Sequence, residues 1–215
     1  MSRRAQTNGT RQRLLEAAAE VFAAGGYRRA TIAEICRRAG ANIAAIHYHF
    51  GDKQELYAAV FDYAQRRATT EEAVAPPDRS TTPEDRLRVQ VTSFLTRLLD
   101  PARPAWIARL MAHELIEPTA VLDRLVRDRM RANHDQIAGA VRDILGPGAS
   151  PETVRLCTLS VISQCVFYRH SAAVVTRLYP DLVPSRKVER IADHVTQFSL
   201  AAIHGLARNG KAAHA

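Results

Sequence analysis

The sequence is poor in the residues that build β-sheets and covalent scaffolds. Aromatic residues make up 6% of the 215 residues and long β-branched runs are missing, which argues against a sandwich or barrel. There are three cysteines and no Cys-x-x-Cys pair. Cys157 and Cys165 share a predicted helix at positions about 12 Å apart along its axis, too far for a disulfide. We expect buried free thiols in a reducing compartment.

Signals for membranes, cofactors and common catalytic chemistry are also missing. No apolar run approaches the roughly 18 residues that span a bilayer, and the N-terminus lacks the apolar stretch of a signal peptide. There is no G-x-S-x-G, P-loop or G-x-G-x-x-G motif. We therefore expect a cytoplasmic protein that is not an enzyme and that carries no cofactor.

Positive charge is concentrated at the beginning of the chain. The net charge is +8, and residues 1–50 hold eight arginines against three glutamates. A basic N-terminal quarter favours contact with a polyanion. A high-GC genome that encodes Arg in place of Lys would give the same composition, so composition alone does not decide between the two.

Apolar periodicity, caps and Gly or Pro breaks predict helices throughout and no strand, so the expected fold class is all-α. Residues 68–82 are the predicted linker. Gly25-Gly26 ends the first predicted helix, and Gly146-Pro147-Gly148 is a firm break. The predicted helices are 10–24, 31–39, 43–50, one that begins after Asp52, 82–99, 104–116, 119–145, 151–170 and 185–207.

Two of these helices form a helix-turn-helix pattern. A capping box, Thr31-Ile32-Ala33-Glu34, opens the first, and Gly40-Ala41-Asn42 separates it from the second. Such a pair can place its second helix in the DNA major groove. Any three-helix bundle with a glycine turn would have the same spacing.

The residues of this region resemble the signature of the TetR/AcrR family of transcriptional regulators. The resemblance is densest in A-G-A-N-I-A-A-I-H-Y-H-F-G-D-K-Q-E-L-Y, residues 39–57, with T-I-A-E-I-C upstream, and it covers about residues 10–60. L-M-A-H-E at residues 110–114 and Q-C-V-F-Y at 164–168 look like the CecR-like branch. His47 stands where the family usually has Tyr, and Ala44 and Ala45 stand where many members have Thr, Ser or Pro, so family base contacts are not carried over.

The resemblance implies a helix-turn-helix DNA-binding domain, residues 1–52, and a helical ligand-binding and dimerisation domain, residues 53–215. The implied function is a regulator that represses a promoter and leaves its operator when a small organic effector binds. Its expected partners are a palindromic double-stranded DNA operator, the effector and a second copy of the chain.

The expected DNA contacts divide into two chemical kinds. Thr31, Tyr48, His49 and Lys53 suit backbone phosphates, whereas Asn42 can read adenine and His47 can donate to guanine or phosphate. The alanines offer methyl contacts to thymine. Capping or a solvated face is the alternative for His47 and the arginines. The candidate DNA-binding residues are Arg28, Arg29, Thr31, Arg38, Asn42, Ala44, Ala45, His47, Tyr48, His49 and Lys53.

Three helices carry the mixed apolar and polar side chains that a small-molecule pocket needs. Ordinary core packing is the alternative for Trp106, Leu110 and Met111. The candidate effector-binding residues are Trp106, Leu110, Met111, His113, Glu114, Met130, Asn133, His134, Phe167 and Tyr168.

The last two long predicted helices carry apolar stripes at spacings of three and four, which suit close helix packing. In the family that the chain resembles, these helices form a two-fold dimer interface. An intramolecular core is the alternative. The candidate dimer residues are Leu159, Ser163, Val166, His170, Val195, Phe198 and Ala202.

Two rival functions stay open. His113-Glu114-Leu115-Ile116-Glu117 begins like the zinc motif H-E-x-x-H, but Glu117 replaces the second His, so we expect no metal site. A helical enzyme that uses His113 and Glu114 is one rival. An architectural DNA-binding protein without an effector is the other.

Overall fold

The computed structural model describes residues 3–68 and 81–212, so most of the predicted linker lies outside the described residues. The described ranges contain helices and no strand, which confirms the all-α prediction. No helix among them is long and apolar enough to cross a membrane. The helices are α1 Arg3–Arg29, α2 Ile32–Ala39, α3 Ile43–Phe50, α4 Lys53–Ala68, α5 Pro83–Leu99, α6 Ala105–Ile116, α7 Ala120–Leu125, α8 Arg131–Leu145, α9 Pro151–His170, α10 Ala172–Leu178 and α11 Val188–Ala212.

Short-range caps begin these helices where the sequence predicts them. The Thr31 hydroxyl accepts the Glu34 amide at 3.2 Å, and the Asn42 side-chain oxygen accepts the Ala45 amide at 2.9 Å. Asp52 does the same for α4, and Ser150 does so for α9. Each bond satisfies an amide that has no partner within the helix.

Three helical segments differ from the prediction. Helix α1 does not end at Gly26 but kinks there, with φ 69° and ψ 179°, and then resumes as far as Arg29. Helix α10 was not predicted. The long helix expected over 119–145 is interrupted by a π-helical turn, Val126–Met130.

The π turn interrupts the apolar spacing of the helix that was predicted over 119–145. Val126 and Met130, at the two ends of the turn, are each 38% exposed. Val121 and Leu125 are buried before the turn instead. A π-helical turn contains more residues than an α-helical turn, so the α-helical spacing of the sequence does not continue through it.

The chain divides into two compact units, residues 1–72 with 102–126 and residues 73–101 with 127–215. In the first unit, α1 packs against α2, α3, α4 and α6. In the second unit, α5, α8, α9 and α11 pack around a core that includes Leu87, Ile137, Val161 and Ile203. Packing therefore groups α6 and α7 with the helix-turn-helix. The functional division at residue 52 stays a prediction.

Candidate nucleic-acid interface

Helix α3 has one buried face and one face open to solvent. Ile46 is 1% exposed and Phe50 9%, and both belong to the core of the first unit. Tyr48 is 77% exposed. The open face is short and continuous, because its members recur one and four positions apart on a helix. It consists of Ile43, Ala44, His47 and Tyr48.

The turn that presents this face depends on Gly40, whose φ is 59°. This left-handed conformation suits glycine, which has no Cβ to clash. The Ala41 amide donates to the Cys36 carbonyl across the turn at 3.0 Å. The Arg13 Nε donates to the Ala39 carbonyl at 3.1 Å, which ties α1 to the end of α2. These two bonds hold the turn and the end of α2 from which α3 starts.

His47 has a defined tautomer in this arrangement. Its Nδ1 lies 2.7 Å from the Gly51 carbonyl oxygen, which can only accept, so Nδ1 carries the hydrogen. In the neutral ring Nε2 is then an acceptor and suits an exocyclic amine of a base. Donation to guanine or phosphate, as expected from the sequence, requires the doubly protonated ring.

Asn42 is exposed, but its side-chain oxygen already caps α3. A bidentate adenine contact uses that oxygen together with the amide nitrogen. Reading adenine therefore shares the oxygen with the cap, while the amide nitrogen stays available.

Two arginines at the end of α2 converge on one carboxylate. The Glu34 carboxylate accepts from Arg37 Nε at 2.9 Å and from Arg38 Nε at 2.6 Å. These hydrogen bonds, with Arg38 first, hold the pKa of Glu34 below its usual value. Arg38 also lies 3.6 Å from Glu20. Arg38 is therefore paired within the chain, and its expected contact with DNA stays a prediction.

The remaining candidate cations differ in how they are held. Arg28 lies 3.7 Å from Glu117, and both side chains are largely exposed. Arg29 and Thr31 are exposed beside the start of α2. The Lys53 ammonium sits 4.5 Å above the centre of the Tyr27 ring, and burial lowers the pKa of Lys53. This cation–π contact places the ammonium at the first turn of α4.

Three further residues of α3 lie at or beside its open face, and one of them was not predicted. His49 is half-buried, with its ring 4.9 Å from that of Tyr48, and Ala45 is half-buried against the core. Ile43, 51% exposed, was not among the predicted contacts. Its position one residue after the cap and four before His47 puts it on the open face, a signal that the sequence carried.

The expected effector residues on α6 belong to the first unit. Leu110 is fully buried in its core, as the core alternative held. The Trp106 ring stacks on Tyr63 at 5.9 Å, and Met111 packs against the same core. The His113 ring lies against Gly26, where an added Cβ would come within 3.1 Å of Nδ1.

Glu114 is fully buried and hydrogen-bonded. Its carboxylate accepts the Thr119 amide at 2.8 Å and the Thr119 hydroxyl at 3.0 Å. Burial, and then the nearby Glu114, raises the pKa of Tyr57, which is also hydrogen-bonded to Glu114. Glu114 thus joins α6, the start of α7 and α4, and it has no exposed surface for a ligand.

The other expected effector residues belong to the second unit. Asn133 accepts from Arg97 at 3.1 Å, and His134 pairs with Asp135 at 2.9 Å. Tyr168 packs against the core of this unit. Met130 and Phe167 are exposed, Phe167 by 53%.

The expected dimer residues separate into exposed and buried sets. Leu159, Ser163, His170 and Ala202 are exposed, Val166 is half-buried, and Phe198 is 59% exposed. Val195 is 1% exposed and packed in the core of its own chain. The assignment of Val195 to a partner contact is therefore wrong. A stripe on the sequence does not say which of two neighbouring faces turns inward.

Within the described ranges, no group of three or more His, Cys, Asp or Glu side chains could hold a metal ion. Cys36, Cys157 and Cys165 are free and buried, and burial raises the pKa of Cys165 to about 12. These thiols behave as core side chains.

A supported α3 with an open face, preceded by a glycine turn and a capped α2, defines a helix-turn-helix DNA-binding protein. The family model "Bacterial regulatory proteins, tetR family" matches residues 14–60, and the model "HTH-type transcriptional dual regulator CecR, C-terminal domain" matches residues 83–203. The chain belongs to the TetR family of bacterial transcriptional regulators, and its C-terminal part is of CecR type. The resemblance stated from the sequence is confirmed.

Individual relatives agree with this assignment. The HTH-type transcriptional repressor NicS of Pseudomonas putida is 26% identical over 94% of this chain and 95% of that protein. The HTH-type transcriptional regulator SrpR of Pseudomonas putida is 45% identical over 26% of each chain, so this chain spans about a quarter of that relative. The SmeT–triclosan complex has the same fold, with a TM-score of 0.56, 24% identity and 90% coverage of both chains.

Proposed function

We propose that this protein is a ligand-responsive repressor that binds duplex DNA as a homodimer. The observation that carries the proposal is the open face of α3, which displays His47 and Tyr48 on a rigid support. Phosphate-binding groups flank it at the starts of α2 and α4, as groove reading requires.

Repression and release by an effector are supported by relatives. NicS is named a repressor, whereas the CecR family model is described as a dual regulator. SmeT is seen with triclosan, a small organic molecule. We propose that residues 1–52 read DNA and that residues 53–215 bind the effector and the partner copy. The buried, bonded Glu114 gives no support to an enzymatic site in that region.

The operator should be a palindrome with half-sites about one helical turn, or about 34 Å, apart, because a two-fold dimer presents two α3 helices to one side of DNA. Sequencing of duplexes selected by the purified protein tests this expectation. Recovery of unrelated sequences without dyad symmetry would contradict it and would favour the architectural alternative.

Two substitutions distinguish a contact with the DNA phosphates from a contact with the bases. Lys53→Ala should weaken all duplexes alike and lower the slope of log affinity against log salt by about one. His47→Ala should relax the preference at particular base pairs by about 1–3 kcal/mol. Gln12→Ala, on the exposed surface of α1, is the control. Uniform weakening by both variants would contradict the division of roles.

Effector response has an intrinsic probe. Trp106 is the single tryptophan of the chain and stacks on Tyr63 of α4, so its fluorescence reports on α4 and α6. A compound that releases the operator should also change this signal, and a 100-fold loss of affinity needs about 2.7 kcal/mol of coupling. If no hydrophobic or aromatic compound changes either signal, effector control is refuted.

A further inference from the structure

The second unit contains a cleft. Of the expected effector residues, only His134 lines it. The cleft has a volume of about 720 Å³ between α8 and α9 and is open to solvent on one side. Organic ligands occupy clefts of roughly 300–1,000 Å³. Its lining includes His134, Asp135, Arg142, Arg155 and Thr158.

The cleft combines an apolar floor with cations at its sides. Ala138 and Val154, from the two facing helices, supply apolar surface, Pro147 comes from the connection between them, and Pro151 is the first residue of α9. The two prolines restrict the backbone at these positions.

The two arginines have no acidic partner among the residues that the structure describes. By contrast, Arg86 and Arg88 of the same unit pair with Asp143 at 2.6 Å and with Asp193 at 3.0 Å. The Arg155 Nε donates to the Pro151 carbonyl at 3.2 Å, which orders the side chain and leaves its terminal nitrogens as donors. Arg142 of α8 lines the same cleft.

The other charged residues of the lining do not neutralise the positive charge of Arg142 and Arg155. Asp135 is the one acidic residue of the lining, and it already pairs with His134 at 2.9 Å. Two guanidiniums against one carboxylate leave a positive cleft. The start of α9, at Pro151, and the end of α8, at Gly146, both border the cleft, so their opposite helix dipoles offset each other and the arginines supply the positive charge.

We propose that this cleft binds a small organic anion, a carboxylate or phosphate monoester on an apolar body. Arg142 and Arg155 hold the anionic group, since guanidinium groups match its oxygens with paired donors. Ala138 and Val154 cover the body. The inference concerns binding in the second unit and does not depend on release of DNA.

The test is a titration of the full chain, free of DNA, followed by ¹⁹F NMR. The probes are 4-fluorobenzoate, 4-fluorophenyl phosphate and the uncharged 4-fluorobenzamide. We expect saturable binding of at least one anionic probe and a dissociation constant at least tenfold weaker, or no saturation, for 4-fluorobenzamide.

The variant that tests the site is Arg142→Gln with Arg155→Gln. It should raise the dissociation constant of the anionic probe at least tenfold with an unchanged thermal midpoint. Arg131→Gln, an exposed arginine of α8 outside the cleft, is the matched control and should leave binding unchanged. Absence of saturation by both anions in the unaltered chain, equal binding of the amide, or equal loss in the control would overturn the proposal.

A parallel measurement keeps this result separate from the proposed function. Operator binding by the double variant, followed by fluorescence anisotropy, should match that of the unaltered chain without probe. Loss of probe binding with intact operator binding supports the cleft. If the double variant binds the probe normally, the cleft proposal fails whatever the operator result.

Discussion

At the scale of single residues, Glu34 limits the positive charge that α2 offers to DNA. It holds Arg37 and Arg38 by hydrogen bonds of 2.9 and 2.6 Å. Glu34→Gln should loosen both guanidiniums, raise affinity for any duplex and steepen the salt dependence by about one to two phosphate contacts. Anisotropy titrations at several salt concentrations measure this.

The control for Glu34→Gln is Glu16→Gln, which makes the same charge change on the exposed surface of α1 without releasing an arginine. Its effect on the salt slope should be small. Equal slopes for the two variants would mean that the pairing of Glu34 with the arginines does not restrain them.

A second residue-scale prediction concerns the buried Glu114. Thr119→Val removes a hydroxyl that donates to this carboxylate at 3.0 Å and that also caps α7. A buried polar group that loses its hydrogen-bond partner costs about 1–3 kcal/mol, so the free energy of unfolding should fall by about that much. Urea denaturation measures it. Thr119→Ser keeps the hydroxyl and should retain most of the free energy of unfolding. If Thr119→Ser is as destabilising as Thr119→Val, the hydroxyl does not stabilise the protein through Glu114.

At the scale of elements, the kink in α1 depends on Gly26. Its φ of 69° with ψ of 179° lies where only glycine is unstrained, and a Cβ there would meet the His113 ring at 3.1 Å. Gly26→Ala should therefore destabilise the protein by about 1–3 kcal/mol. Thermal and urea unfolding measure the change.

Gly25→Ala is the matched control for the kink. An added Cβ at Gly25 would approach the Arg29 Cβ no closer than 3.4 Å, an ordinary contact, and its φ is not positive. Removing backbone freedom there should be neutral or stabilising by up to about 1 kcal/mol. If both alanines destabilise equally, the backbone conformation of Gly26 is not the cause.

At the scale of the whole molecule, the apolar faces of α9 and α11 define the proposed dimer. Leu159 and Phe198 are 56% and 59% exposed, and their burial against a partner would remove this apolar surface from water. Full burial of each side chain contributes about 1.5–3 kcal/mol to the free energy of association. Each side chain occurs twice in a two-fold interface, so the contribution doubles. Phe198→Asp should give monomers in sedimentation and weaken palindrome binding at least 100-fold.

Phe198→Asp should leave the helix content of the chain nearly unchanged in circular dichroism, because Phe198 is exposed and is not part of the core of its own unit. Gln136→Asp, exposed on α8, is the control for added charge and should stay dimeric. Dimers of normal affinity in the Phe198 variant would contradict the interface.

The sequence by itself determined most of the helices, their caps and the helix-turn-helix. Thr31, Asn42 and Asp52 each bond an amide three residues away, so the information lies within one turn of chain. The glycine turn at Gly40 is equally local. For the same reason, the open face of α3 could be derived in full from periodicity, including the omitted Ile43.

Only the tertiary structure decided which neighbouring positions turn inward. Val195 and Phe198 are three positions apart and equally apolar, yet one is 1% and the other 59% exposed. The difference arises from how α11 packs on α5, α8 and α9, and no local spacing contains that. Glu114 is the same case: its role depends on Thr119 and Tyr57, which packing brings to it. Burial is a property of several segments at once, whereas a cap belongs to one.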